Sequence, residues 1–243
     1  MLSLRQNKEK TAYLRWFDIL VLTLILWGKF IYNSTALYIG LVQGSTTLYN
    51  NYYYTVQDNY SAVAGQAVLL LLALLYLWLR GFDFKTWTIR FGPKAILNGG
   101  LIFLAISVLY YLYWKLTDPL SAALPFPGPI GAFFGNRTVS DVIYAMLNGT
   151  YEELYFLGIC LAVREEHLKW AVPFSLLVRI SFHTYQGMIP ALGIGLLLGG
   201  FTYLLYRMSK DKNLLPFFIA HALADIFSLM VFWDILMYLS FKF

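Results

Sequence analysis

The chain has 243 residues, 59% of them apolar and only 13% charged, with a net charge of +5. A mean hydropathy of +0.61 excludes an ordinary soluble domain. Its basic residues lie in short segments between apolar runs and form no single patch, which argues against nucleic acid as a partner. The lone cysteine, Cys160, excludes an intramolecular disulfide and any Cys-rich metal site. Its apolar surroundings give it the reading of a small core residue. The 19 Tyr, 19 Phe and 7 Trp suit aromatic belts at two membrane interfaces.

Several apolar runs reach the length of about 20 residues that a helix needs to cross the hydrocarbon core. The sequence therefore predicts an all-α polytopic membrane protein. Residues 1–15 carry Arg5, Lys8, Lys10 and Arg15 and are placed in the cytoplasm. A first helix is predicted over 16–38, reading as an uncleaved anchor, with Lys29 snorkelling from it. Segment 39–59 holds no Lys or Arg and suits an external loop. A second helix covers 60–79. The stretch from Gly81 to Lys94 mixes Lys85, Arg90 and Lys94 with Trp87 and Phe91 and reads as an interfacial cytoplasmic segment. A third helix takes 95–114. The following Pro119, Pro125, Pro127 and Pro129 predict irregular chain at the external interface or a re-entrant loop.

A fourth helix is predicted over 139–163, with Asp141 as an N-terminal helix charge, and a fifth over 169–186. Gly187 and Pro190 mark the turn into a sixth, 190–206, whose Gly193, Gly195, Gly199 and Gly200 permit close helix approach. The last run, 214–239, is one long helix or breaks near Trp233-Asp234. Seven spans is the simplest count, with eight as the alternative. The predicted cytoplasmic segments hold Arg5, Lys8, Lys10, Arg15, Arg80, Lys85, Arg90, Lys94, Arg164, Lys169, Arg207, Lys210 and Lys212, most of the 18 basic residues, as the positive-inside rule expects. The chain reads as a single membrane domain, 1–243. Residues 1–94 supply the N-terminal helices and interfacial segment. A bacterial cell membrane is the expected location, with the N-terminus cytoplasmic.

Three stretches of the second half place ionisable groups inside these apolar runs. They are Glu152-Glu153 in NGTYEELYFLG, Arg179 and His183 in VRISFHTYQG, and His221 with Asp225 in PFFIAHALADI. Such groups are costly at bilayer depth unless paired or lining a wet cavity, which makes them candidates for function. Counting about 1.5 Å per residue puts Glu152 roughly 18 Å, His183 roughly 21 Å, and His221 and Asp225 roughly 12 and 18 Å from the cytoplasmic ends of their helices. Similar depth on three helices makes a shared polar intramembrane site feasible. The pairs 179/183 and 221/225 each share a helix face.

Such a cluster suits hydrolysis: a carboxylate beside an imidazole can take a proton from water. A second imidazole, held by Asp225, can donate to a developing oxyanion. The same groups, Glu152, His183 and His221, could instead bind a divalent metal such as zinc. No HExxH is present, so the common zinc-peptidase motif gives no support. His167, Glu165 and Glu166 read as solvated loop residues, and Lys115 as an interfacial snorkeller.

At Glu152-Glu153, FHTYQG with His183, and His221 with Asp225, the chain resembles the CAAX-protease and bacteriocin-processing (Abi) family, membrane proteins similar to type II CAAX prenyl endopeptidases. That family's signature is a Glu-Glu pair in EExxxR, a Phe-containing segment with His, and HxxxN or HxxxD. One departure is visible: the position of the signature's arginine is Leu157, and Arg179 is the expected substitute partner of Glu153. The resemblance implies Glu152 as the base that activates water, His183 assisting it, His221 and Asp225 at the oxyanion, and Glu153 structural. The resemblance covers roughly residues 95–235 and implies there the catalytic core of an intramembrane endopeptidase acting on a membrane-associated peptide or protein, such as a leader peptide or bacteriocin precursor; no cofactor is expected, with a divalent metal such as zinc as the alternative. A non-catalytic immunity or regulatory protein of the same fold is the first rival, and a proton-relay transporter the second.

Overall fold

The computed structural model describes residues 10–44, 55–121, 123–125 and 138–231. Arg5, Lys8, the middle of the expected external loop, Pro127, Pro129 and the break at Trp233-Asp234 lie outside the described residues. Within them the chain is helical, with no named strand and two isolated bridges, Thr11 with Phe82 and Thr88 with Asn213. The all-α polytopic membrane architecture follows from helices α1 (Trp16–Val42), α2 (Val56–Leu79) and α3 (Pro93–Ser121), each long and apolar enough to span. A fourth such helix, Met188–Met208, is formed by α6 (Met188–Leu192), a π-helical stretch Gly193–Leu198, and α7 (Gly199–Met208). Between and after them stand α4 (Val139–Glu153), α5 (Leu168–His183) and α8 (Leu215–Phe227).

Helices α1 and α2 each run four residues into the expected external loop 39–59, and three other boundaries also differ from the sequence reading. Helix α3 runs on through Pro119. The proline stands in the last turn, where it removes a single backbone bond and does not interrupt the span. Helix α8 stops at Phe227, short of Trp233-Asp234, because Ser228 adopts φ +68° and its Oγ accepts from the Met230 N–H at 3.1 Å. Helix α4 passes into a π-helical stretch, Leu154–Ile159, closed by Cys160 N–H to Tyr155 carbonyl at 2.8 Å. Among the four glycines of the sixth predicted helix, a Cβ at Gly195 would strike the backbone of Ile180 on α5, whereas Gly200 faces open space. Close approach therefore explains Gly195 and not Gly200.

Residues 81–92 are more than a surface strap. A 3-10 turn at Phe84–Thr86 is followed by Trp87, whose indole N–H donates to the Gly158 carbonyl at 3.0 Å. This segment therefore anchors to the π-helical stretch below it. Helices α2 and α4 are fastened twice. Asn59 Nδ2 donates to Asp141 Oδ1 at 2.7 Å and to Ser140 Oγ at 3.0 Å, and Gln66 Nε2 donates to Asn148 Oδ1 at 2.7 Å. Both donors and both acceptors are seven residues apart along their helices, so α2 and α4 run in the same direction. A chain that crosses the membrane once per long helix requires that. Asp141 also closes a capping box with Thr138 at the start of α4, as an N-terminal helix charge should.

The core joins α1 to the matched face of α4 and α5. Trp27 stacks on Phe182 with centroids 4.1 Å apart and on Phe156 at 5.7 Å. Tyr151 donates to the Leu26 carbonyl and the Tyr155 hydroxyl meets Thr23 Oγ1, both at 2.6 Å. Cys160 is fully buried in this cluster, in keeping with a core role.

Candidate active site

Helix α4 ends in Tyr151-Glu152-Glu153 because two demands meet there. Its tyrosines are held by α1, and its opposite face lies against α8. That second contact depends on Gly149: a Cβ there would sit 2.8 Å from the Ala222 nitrogen and 2.9 Å from the Phe218 carbonyl oxygen. Backbone-to-backbone approach at Gly149 brings His221 alongside both glutamates. The switch to π-helical hydrogen bonding begins immediately after Glu153, a distortion that recurs at functional positions in helices.

Glu153 is the structural hub. Its Oε1 accepts from Arg179 Nη2 at 2.5 Å and from His221 Nδ1 at 2.8 Å, tying α4 to α5 and α8. The contact with Arg179 supplies the partner that Leu157 cannot. Leu157 itself is buried in an apolar cluster with Leu154, Leu214 and Phe217. The Arg179 guanidinium also lies over the Phe156 ring, 4.1 Å from its centroid, which places a cation on a π face in a dry environment. A buried carboxylate needs such partners, since an isolated charge of this kind would cost far more than the fold could supply.

Glu152 is differently placed. Its Oε1 accepts from Asn148 Nδ2 at 3.2 Å, and the same amide nitrogen donates to Asp225 Oδ2 at 2.9 Å. His221 Nε2 stands 3.7 Å from Glu152 Oε1 and 3.8 Å from Asp225 Oδ1. Both separations exceed a direct hydrogen bond, so Nε2 is bonded to neither carboxylate. Glu152 Oε2 is buried with no hydrogen-bond partner, as are Glu153 Oε2 and Arg179 Nε, among the described residues. Side-chain exposure rises from 3% at Glu153 through 16% at His221 to 28% at Asp225. The cluster is therefore reached from the Asp225 side.

His183 sits apart. Its Nδ1 donates to the Arg179 carbonyl at 2.8 Å, one turn back on the same helix, and its ring leans on Phe182 at 4.2 Å. That bond leaves Nε2 as the nitrogen free for a ligand. Among the described residues no hydrogen bond or ion pair joins His183 to Glu152, His221 or Asp225. No three His, Cys, Asp or Glu side chains there are arranged to hold a metal ion. The described residues do not fit the metal alternative in this arrangement.

Two site residues escaped the sequence reading. Asn148 bridges Glu152 and Asp225, and Gln66 of α2 fixes the orientation of Asn148 by engaging its Oδ1. The usable signal was the pair of sevens, 59/66 against 141/148, which places polar side chains on facing stripes of two apolar helices.

Neither a curated protein nor a solved structure gives a significant match to the chain. A family model does: residues 134–227 match Type II CAAX prenyl endopeptidase Rce1-like. The matched segment contains Glu152, Glu153, Arg179, His183, His221 and Asp225, and it excludes α1, α2 and α3. Over residues 134–227 the chain is similar to the Rce1-like, type II CAAX prenyl endopeptidase family.

Proposed function

We propose that the chain is an intramembrane endopeptidase that hydrolyses a peptide bond of a membrane-associated peptide or protein, with Glu152 as the base that activates water. The observation that carries this reading is the gap between Glu152, His221 Nε2 and Asp225. A buried carboxylate with an unpartnered oxygen faces an imidazole there at more than hydrogen-bond distance. An unmet carboxylate oxygen beside an imidazole is what a water and a scissile carbonyl would complete.

The residues divide the reaction as follows. A water held against Glu152 attacks the scissile carbonyl carbon while its proton passes to the carboxylate. The new C–O bond turns the carbonyl oxygen into an oxyanion, which a protonated His221 receives through Nε2–H, its Nδ1–H being held by Glu153. The C–N bond then breaks, and the proton held by Glu152 leaves with the amine. Asp225 and Asn148 position Glu152 and His221 from the exposed side, and His183 assists through its free Nε2. Arg179 and Glu153 fix the helices and touch no reacting atom. Burial in a site with few waters strengthens each of these polar interactions.

The reading is tested with protein purified in detergent, wild type and Glu152→Ala, each incubated with a library of membrane-associated peptides and analysed by mass spectrometry. Cleavage by the wild type alone supports it and reports the specificity. Two folded proteins that both leave the library intact would instead favour a binding or immunity role for the same fold.

A further inference from the structure

A cleft of about 560 Å³, lined by none of the ionisable residues of the glutamate cluster, opens between the first three turns of α3, the end of α7 and the start of α8. Its lining changes character along the helices. Arg90, Lys94 and Lys210, with a single acid, Asp211, lie at or just outside the helix ends, whereas Leu101, Ile102, Leu205 and Phe217 line it along the helices themselves. Along α3 the sequence Lys94, Asn98, Leu101 falls on one face and covers about 10 Å from charge to hydrocarbon. The rim coincides with the ends of two spanning helices, Pro93–Leu120 and Met188–Met208, so it lies at interface level.

The rim is a built structure. Asn213 clamps the backbone of Arg90, accepting its N–H at 3.0 Å and donating to its carbonyl at 2.9 Å, while the Leu214 N–H reaches the Thr88 carbonyl at 2.9 Å. Neighbouring cations outside the cleft are already engaged: Arg207 pairs with Glu165, and Lys212 Nζ turns back onto the carbonyls of Tyr206 and Arg207. Burial and the nearby Arg207 push the Lys212 amine below its ordinary value. By contrast, no side-chain hydrogen bond or ion pair joins Arg90, Lys94 or Lys210 to the other described residues. Among the described residues, three cations without a side-chain partner thus stand beside an apolar wall and a single carboxylate.

We propose that this cleft binds an anionic phospholipid, its phosphate held by Arg90, Lys94 and Lys210 and an acyl chain lying along Leu101 and Leu205. Positive charge at the rim selects the headgroup, and the hydrocarbon wall selects an amphiphile over a soluble phosphate. Cationic side chains at a membrane surface each favour anionic lipid, and three acting together should select it by about tenfold or more.

Native mass spectrometry of the full chain in non-ionic detergent tests the proposal. Short-chain phosphatidylglycerol and phosphatidylcholine are added to the wild type, to Arg90→Gln/Lys94→Gln/Lys210→Gln, and to a control, Lys85→Gln/Lys169→Gln. Retention of phosphatidylglycerol at least about tenfold above phosphatidylcholine, lost in the triple variant and kept in the control, is the expected result. Equal retention of both lipids by the wild type overturns it, as does a preference that survives the triple variant or vanishes in the control. Glycerol phosphate that displaces the lipid at equal concentration would show that the headgroup alone binds, and would overturn the amphiphile assignment. Unchanged helical circular dichroism in each variant separates loss of binding from loss of fold.

Discussion

Two buried carboxylate networks stand in this protein, and they differ in completeness. In α1, Asp18 is 2% exposed and fully answered. Its Oδ1 accepts from Arg80 Nε and Tyr76 OH, both at 2.7 Å, and its Oδ2 accepts from the Arg15 N–H at 2.9 Å. In α4, Glu152 and Glu153 are as deeply buried, yet each keeps one oxygen without a partner, and the Arg179 Nε is unpaired beside them. A closed network fixes helix ends and asks for nothing more. An open one retains unmet hydrogen-bonding capacity at a cost to stability, which a fold tolerates where a substrate or water completes it.

Substitutions can break that contrast, and the largest effect is expected at Glu152. Glu152→Gln keeps shape and volume but removes the proposed base, so peptide cleavage should fall about 10²–10⁴-fold while thermal unfolding stays near wild type. Second, Arg179→Met or Glu153→Gln should each destabilise by about 3–5 kcal/mol, because each leaves a buried charge unanswered. The double variant should lose no more than either single one. A denaturant-unfolding cycle with additive losses would show that the pair is not coupled. Third, Asn148→Ala frees Glu152 and Asp225 from their common donor and should slow cleavage about tenfold to a hundredfold, measured as kcat/KM. The smallest of these is Gly149→Ala, whose methyl group has no room against α8. It should destabilise by about 1–3 kcal/mol, with cleavage falling as His221 is displaced, and wild-type unfolding would refute the close approach.

Much of this was legible from residues alone. Runs of about 20 apolar residues fix most helices, because hydrocarbon leaves a backbone no alternative partner. Ionisable residues stand out in those runs for the same reason, so Glu152, Glu153, Arg179, His183, His221 and Asp225 could be singled out and their clustering anticipated. The structure places five of them in one network and sets His183 slightly aside.

What was not legible depends on pairing across helices. Asp18 at the start of α1 has Arg80 and Tyr76 as partners, both supplied by the far end of α2. Gln66 and Asn148 are ordinary polar residues one helix at a time and gain their role only from the parallel alignment of α2 and α4. The π-helical stretch after Glu153 has no sequence signature, since its hydrogen bonds shift by one residue without any special residue type. The end of α8 at Phe227 rests on one left-handed serine within an unbroken apolar run.

The contrast between the closed and open networks is tested most directly by measuring cleavage rate and thermal unfolding side by side for Glu152→Gln and Asp18→Asn. Removing the Asp18 charge should cost about 1–3 kcal/mol of stability and leave cleavage per folded molecule unchanged. Glu152→Gln should do the reverse, losing cleavage and keeping its melting temperature. Two variants that change in the same direction, both losing activity or both losing stability alone, would contradict the assignment of chemistry to one network and structure to the other.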